Sequence, residues 1–131
     1  MIFGIGADVV QISRIQVLID RWGERFLNRV FTTREIAFCA QRKTAASHLA
    51  VRFGAKEAFL KALGVGYDAG IGWKDIEVLR RSSGRPEIEL HNQAKVLCEQ
   101  HGIDGIHLSM SHDGNYGFVQ VVLEAESRGS G

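Results

Sequence analysis

The chain has 131 residues, 45% hydrophobic and 24% charged, with a formal net charge of +1; this suits one globular domain that buries a core without metal or disulfide staples. So small a net charge provides no global field toward nucleic acid or an anionic membrane, and any electrostatic preference must come from local patches. Cys39 and Cys98 form no CxxC pair; with no signal-like start and no apolar run of bilayer length, they read as reduced thiols of a cytoplasmic protein.

Residues 2–10 read as a first strand, with Val, Ile and Phe spaced along it. From Ser13, the residues Ile15, Leu18, Ile19, Trp22 and Phe26 recur at helical spacing, and Gly23 weakens or breaks that helix. Thr32-Thr33-Arg34-Glu35 is a capping-box pattern that opens a second helix reaching about residue 40. A third, longer helix is expected over about 44–63, with a core stripe of Leu49, Phe53, Leu60 and Leu63 and with Gly64 as its C-cap. The glycine-rich stretch 64–72 reads as a loop without the GK[ST] ending of a P-loop.

A hairpin follows, with strands at 75–81 and 87–90 around Ser82-Ser83-Gly84-Arg85, and Pro86 suits a strand start or an edge. Asn92 is expected to cap a helix ending at Gly102. The last two strands, 105–111 and 116–124, turn at Asp113-Gly114-Asn115. Both are apolar on both faces, so they are expected inside a sheet covered on both sides. This order indicates an α+β fold: a small single domain over 1–126, its antiparallel sheet packed with one long and several shorter helices. Residues 127–131 read as a disordered tail.

Several side chains could carry chemistry. On the first strand Gly4, Gly6 and Asp8 share one face, which the glycines leave clear for a backbone, a ligand or an ion. Asp8 is there either a strand-end or capping residue over close packing, or a ligand. On the long helix Ala50, Gly54, Glu57 and Lys61 share a face. Glu57 and Lys61 make either an exposed i,i+4 salt bridge or, with small residues beside them, part of a closely packed or ligand-covered groove. In the second case Asp8 and Glu57 would suit a hard cation such as Mg²⁺, with Lys61 balancing phosphate charge. Ser111 and His112 either bind phosphate or serve the turn that follows them. Arg14, Arg21 and Arg25 share a flank of the first helix, continued by Arg29: a solvated basic face or a docking surface for an acidic partner.

Three segments, GIGADVVQISRI at 4–15, RFGAKEAFLKALG at 52–64 and SMSHDGNYGFVQVVLE at 109–124, closely resemble in order and spacing the small bacterial 4′-phosphopantetheinyl transferases, the holo-acyl-carrier-protein synthases. The resemblance spans nearly the whole chain. It implies Mg²⁺-dependent transfer of the phosphopantetheine arm of coenzyme A to a serine of apo-acyl carrier protein, in fatty acid biosynthesis. Adenosine 3′,5′-bisphosphate is released. By motif position Asp8 and Glu57 match the family's metal-binding carboxylates, and Lys61 matches the lysine that contacts the coenzyme A phosphates. His112 matches the histidine of the last motif, and Arg52 falls on a family-typical arginine. Arg42 and Lys43 fall where basic residues often lie near the nucleotide 3′-phosphate. Arg14 matches a residue of the helix that meets the carrier protein, where Arg21 and Arg25 would join it. Gly54 and Gly117 stand where alanine is usual. The resemblance further implies a homotrimer with active sites between subunits. For that transfer Glu57, directly or through a metal-bound water, is the candidate base, and Lys61 would stabilise the phosphate charge. Neither nucleic acid nor membrane is expected as a partner. Rival readings are a nucleotide hydrolase and a non-catalytic module that binds an acidic protein.

Overall fold

The computed structural model describes residues 1–126, the Tyr67 side chain excepted; the tail expected at 127–131 lies outside them. The chain runs β1 (Ile2–Gln11), α1 (Ile12–Trp22), α2 (Glu24–Val30), α3 (Thr33–Ala40), α4 (Ala45–Leu63), β2 (Ile76–Arg80), β3 (Pro86–Leu90), α5 (Asn92–Gln100), β4 (Ile103–Asp113) and β5 (Tyr116–Ala125). The antiparallel main sheet has the order β1-β5-β4, and β2 and β3 form a separate hairpin. The expected α+β architecture holds.

Local chemistry explains the boundaries. Gly23, at φ 55°, separates α1 from α2. Thr32 caps α3 with both halves of the capping box present. Gly64, at φ 80°, ends α4 in the left-handed conformation. The N-terminus of α1 is capped from a distance: the Ser13 backbone N–H donates to Asn115 Oδ1 at 2.9 Å and the Ile12 N–H to the Asn115 carbonyl at 2.8 Å. The β4–β5 turn therefore closes the first helix, an arrangement no local pattern announces.

The expectation for Asn92 needs correction. His91 is the residue preceding α5, and Asn92 is its first residue, at φ 48°. The Asn92 amide donates to Asp75 Oδ1 at 3.1 Å, so this side chain ties the helix to the preceding loop instead of capping it.

The cleared face of β1 is filled by α4. A Cβ on Gly4 would lie 1.9 Å from the Ala62 carbonyl oxygen, and one on Gly6 1.9 Å from that of Ala58. The two glycines thus let strand and helix backbones touch. Ala50 and Gly54 belong to the same packing; a Cβ on Gly54 would approach Val119 Cγ2 to 3.0 Å. Of the alternatives open for this face, backbone approach and close packing hold, and the ligand-covered groove at 50 and 54 does not.

α4 is the central element. Leu49, Leu60 and Leu63 are buried as expected, Phe53 is only half-buried, and Arg52 and Lys56 are fully buried. Lys56 Nζ lies 2.8 Å from Glu35 Oε1 and donates to the carbonyls of Trp73 at 2.9 Å and Ile76 at 2.6 Å. Glu35 Oε2 accepts from the Val78 N–H. This buried pair joins α3, α4 and β2.

The sheet is not covered on both sides. Val119, Val121 and Leu123 are buried beneath α4, but Ile5 is 54% exposed, Val9 59% and Phe118 47% on the opposite face. The apolar two-faced pattern was legible, yet a single chain provides only one cover.

Candidate active site

β1, α1 and α4 enclose a cleft of about 390 Å³ whose walls include Asp8, Arg14, Ile15, Leu18, Phe53 and Glu57. Asp8 comes from the strand face that approaches α4, and Glu57 from the flank of α4 turned toward it. Both are half-buried. Lys61 Nζ lies 2.9 Å from Asp8 Oδ1 and 3.3 Å from the Ala7 carbonyl. Sequence spacing suggested a Glu57–Lys61 pair; the structure adds an ion pair between Lys61 and Asp8.

Burial pushes the Glu57 carboxyl up, the negative charge of Asp8 adds to that rise, and Lys61 and Arg14 oppose it. Two carboxylates from different elements thus share one field in a solvent-open cleft. Their hard oxygen donors and mutual repulsion fit a small divalent cation, which commonly takes one or two carboxylates and leaves other positions to water or phosphate.

The other predicted residues gather elsewhere. Glu57 and Arg52 are five residues apart on α4, about 140° around its axis. Arg52 Nη1 donates to the His48 carbonyl at 3.1 Å, while its buried Nε and Nη2 have no hydrogen-bond partner among the described residues. The guanidinium carbons of Arg42 and Arg52 lie 4.2 Å and 4.6 Å from the centre of the Phe38 ring. A cavity of about 280 Å³ opens between Arg34, Phe38, Arg52, Val78 and Arg80. His112, exposed near the end of β4, is electrostatically within reach. Burial lowers the His48 pKa, and the charges of Arg52, Arg80, Arg42 and His112 lower it further. Lys43 is exposed on the connection from α3 to α4. One chain therefore carries two groups on different flanks of α4, Asp8, Glu57 and Lys61 on one and the basic residues on the other.

Sequence reasoning missed Arg34, Phe38, His48 and Arg80. Only Arg34 sat in a recognised motif, and there as part of a cap; His48 lies one turn before Arg52 on α4, whereas Phe38 and Arg80 reach it through tertiary packing.

The arginines expected on one helix fall on two, because Gly23 ends α1 after Trp22: Arg14 and Arg21 lie on α1, Arg25 and Arg29 on α2. Arg14 faces the cleft, whereas Arg21 and Arg25 lie 5.3 Å and 5.8 Å from the Trp22 ring centre. Arg25 and Arg29 line a shallow groove with Leu18, Trp22 and Phe26.

Glu77, Glu89 and His91 also bring ligand atoms within 4.8 Å of one another. Arg34 Nη2 lies 2.5 Å from Glu77 and 2.9 Å from Glu89, so a guanidinium offsets part of the charge of that cluster.

Comparison with known proteins points to one family. The family model described as the 4′-phosphopantetheinyl transferase superfamily matches residues 4–116. The chain is 44% identical over 124 residues to the holo-[acyl-carrier-protein] synthase of Geobacter sp. strain M21, covering 95% of this chain and 99% of that one. It is 48% identical over 125 residues to the synthase of Trichlorobacter lovleyi, with 95% and 99% covered. Among solved structures, the holo-[acyl-carrier-protein] synthase of Neisseria meningitidis superposes with a TM-score of 0.88 at 35% identity, covering 95% of this chain and 99% of that one. The Helicobacter pylori synthase in complex with coenzyme A gives 0.81 at 32% identity, with 92% and 99% covered.

Proposed function

The chain belongs to the 4′-phosphopantetheinyl transferase superfamily, and we propose that it is a holo-acyl-carrier-protein synthase. It transfers 4′-phosphopantetheine from coenzyme A to a serine of apo-acyl carrier protein, releases adenosine 3′,5′-bisphosphate and serves fatty acid biosynthesis in the cytoplasm. The observation that carries this reading is the convergence of Asp8, Glu57 and Lys61, from two distant segments, at one cleft beside an arginine-bearing helix.

Asp8 and Glu57 would hold Mg²⁺, which when bound supplies positive charge against the diphosphate. The Glu57 carboxylate, its proton affinity raised by burial, takes the proton from the serine hydroxyl. The serine oxygen attacks the β-phosphorus, a new O–P bond forms, and the bond from that phosphorus to the bridging oxygen breaks. The bridging oxygen leaves on adenosine 3′,5′-bisphosphate, and the Lys61 ammonium offsets its charge. Positioning and electrostatics account for most of the rate in such transfers. Arg42, Lys43, Arg52 and His112 bind the coenzyme A phosphates from the basic flank. Arg14, Arg21 and Arg25 receive the acidic carrier protein; Arg14 stands at the cleft itself, and the other two mark the approach along α1 and α2.

The assembly proposed is a homotrimer. Two features support it: the apolar open face with Ile5, Val9 and Phe118, and the two functional groups on different flanks of α4. A neighbour that covered the sheet could set its basic flank beside the carboxylates of the first chain. Among the described residues no helix is long and apolar enough to cross a membrane.

Incubation with coenzyme A, Mg²⁺ and an apo-acyl carrier protein, read by intact mass, tests the reading. The carrier is expected to gain one phosphopantetheine, and Glu57→Gln to lose that transfer while remaining folded. An unmodified carrier with the wild-type protein, or near wild-type transfer by Glu57→Gln, would refute the activity or the site respectively.

A further inference from the structure

The Phe38 ring lies against two guanidinium groups at once, that of Arg42 at 4.2 Å and that of Arg52 at 4.6 Å from its centre. The His48 ring meets it edge-on at 6.0 Å. Two like charges this close repel, and the negative face of an aromatic ring offsets that repulsion. With Nη1 of Arg52 fixed on the His48 carbonyl, the edge formed by Nε and Nη2 is the part of its guanidinium without a hydrogen-bond partner among the described residues. That edge presents two parallel N–H groups, the fork that binds a phosphate bidentately. A buried fork left unfilled is costly, and the cavity beside it is bordered by Arg34 and Arg80 as well. Arg34 is largely committed to Glu77 and Glu89, so Arg52 and Arg80 dominate the attraction for an anion there.

We propose that Phe38 is a positioning residue that sets the preference for a donor bearing a 3′-phosphate, by holding the bidentate edge of Arg52 ready for that group. The inference rests on the reading that the basic flank takes the phosphates of coenzyme A. A terminal phosphate monoester suits the fork better than the diphosphate, because it offers three oxygens and a near-double charge. The diphosphate is handled by Lys61 on the other flank of α4. Loss of the ring should therefore weaken the recognition of one phosphate and leave the reacting end of the donor alone.

The test compares kcat/KM for coenzyme A and for 3′-dephospho-coenzyme A. Phe38→Leu is expected to lower the ratio between the two donors about tenfold while changing turnover of the dephosphorylated donor by no more than about twofold. Phe38→Tyr, which keeps the ring, should retain the wild-type ratio. An unchanged ratio in Phe38→Leu, or an equal fall for both donors, would overturn the proposal, since the ring would then serve packing alone. Should Phe38→Leu fail to fold, Phe38→Met gives the same comparison at closer volume. Arg52→Gln separates the two levels of the argument. If Arg52→Gln leaves the ratio intact, the reading of the basic flank fails; if it collapses the ratio and the Phe38 variants do not, only the role of Phe38 fails.

Discussion

Lys61 Nζ lies 2.9 Å from Asp8 Oδ1, an ion pair between a helix and a strand 53 residues apart. The lysine side chain is 55% exposed and that of the aspartate 13%. An ion pair of this kind contributes at most about 1 kcal/mol to stability, because water and salt screen it. Asp8→Asn is therefore expected to leave the melting temperature nearly unchanged. It should nonetheless depress transfer by at least about a hundredfold and shift its Mg²⁺ dependence to higher concentration. A Mg²⁺ titration of the transfer rate beside a thermal melt separates the effects, and a variant that melts early with normal Mg²⁺ dependence would make Asp8 structural.

Gly6 and Gly54 both face the α4–sheet contact, but they differ in tolerance. A Cβ at Gly6 would meet backbone, the Ala58 carbonyl at 1.9 Å and the Ala62 nitrogen at 2.7 Å. Gly6→Ala must push strand and helix apart, and it is expected to cost more than about 3 kcal/mol in urea unfolding. At Gly54 the nearest atom is a side-chain methyl at 3.0 Å, so Gly54→Ala should cost no more than about 1 kcal/mol. Equal effects of the two substitutions would remove the distinction.

The contrast between these glycines marks what could be read from the sequence. Alternation along β1 placed Gly4, Gly6 and Asp8 on one face, and the capping box at Thr32 and the C-cap at Gly64 fell where local chemistry puts them. Those signals are local, so they survive without tertiary information. What filled the cleared face was not local: Ala58 on α4 lies about fifty residues from Gly6, and nothing near Gly6 names its neighbour. Helical i,i+4 spacing offered Glu57 beside Lys61, whose charge does oppose the rise of the Glu57 carboxyl, but it could not show the Asp8 contact, which arises only when β1 packs on α4. Phe38 from α3 and Arg80 from β2 meet Arg52 only through packing, whereas His48, one turn before it on α4, was within reach of helical spacing. The open sheet face was legible as apolar but not as uncovered, because an apolar strand face reads alike whether its cover is the same chain or another.

Lys56, beside Glu57 in sequence but fully buried, has a structural role. Burial lowers its pKa, while the charge and hydrogen bond of Glu35 oppose that change. Lys56→Met would leave the Glu35 carboxylate buried beside backbone donors without its countercharge, at an expected cost of about 3–5 kcal/mol. Adding Glu35→Gln should recover part of that loss, because no unpaired charge then remains buried. A double-mutant cycle in denaturant measures this coupling; a single-variant loss below about 1 kcal/mol would rule out the buried pair.

Arg21 near the end of α1 and Arg25 on α2 are both exposed and flank the Trp22 ring. Reversing both to Glu removes charge from the path of the acidic carrier without touching the cleft. Transfer should fall about tenfold or more at low salt, chiefly through KM for the carrier, and lose most of its salt sensitivity. A fall in kcat with an unchanged salt dependence would place these residues outside the docking path.

Glu77 governs the response to acid. Its carboxylate accepts from Thr32 Oγ1 at 2.5 Å and from Arg34 Nη2 at 2.5 Å, and it lies 2.9 Å from His91 Nε2. Burial alone would push its pKa up, but the hydrogen bonds from Arg34, Thr32 and His91 outweigh it and hold the group at about 2, below an ordinary 4.5. The folded state thus binds this proton less readily than the unfolded chain. The contribution is full above the unfolded value and is lost as pH falls from 4.5 toward about 2. A shift of that size corresponds to stability on the order of 3 kcal/mol. Glu77→Gln should be less stable than wild type at neutral pH, and the gap should close through that window. Unfolding free energies measured from pH 7 to pH 2 test this: a gap that stays constant as the pH falls would mean that the charge of Glu77 does not stabilise the junction of α3, β2 and α5.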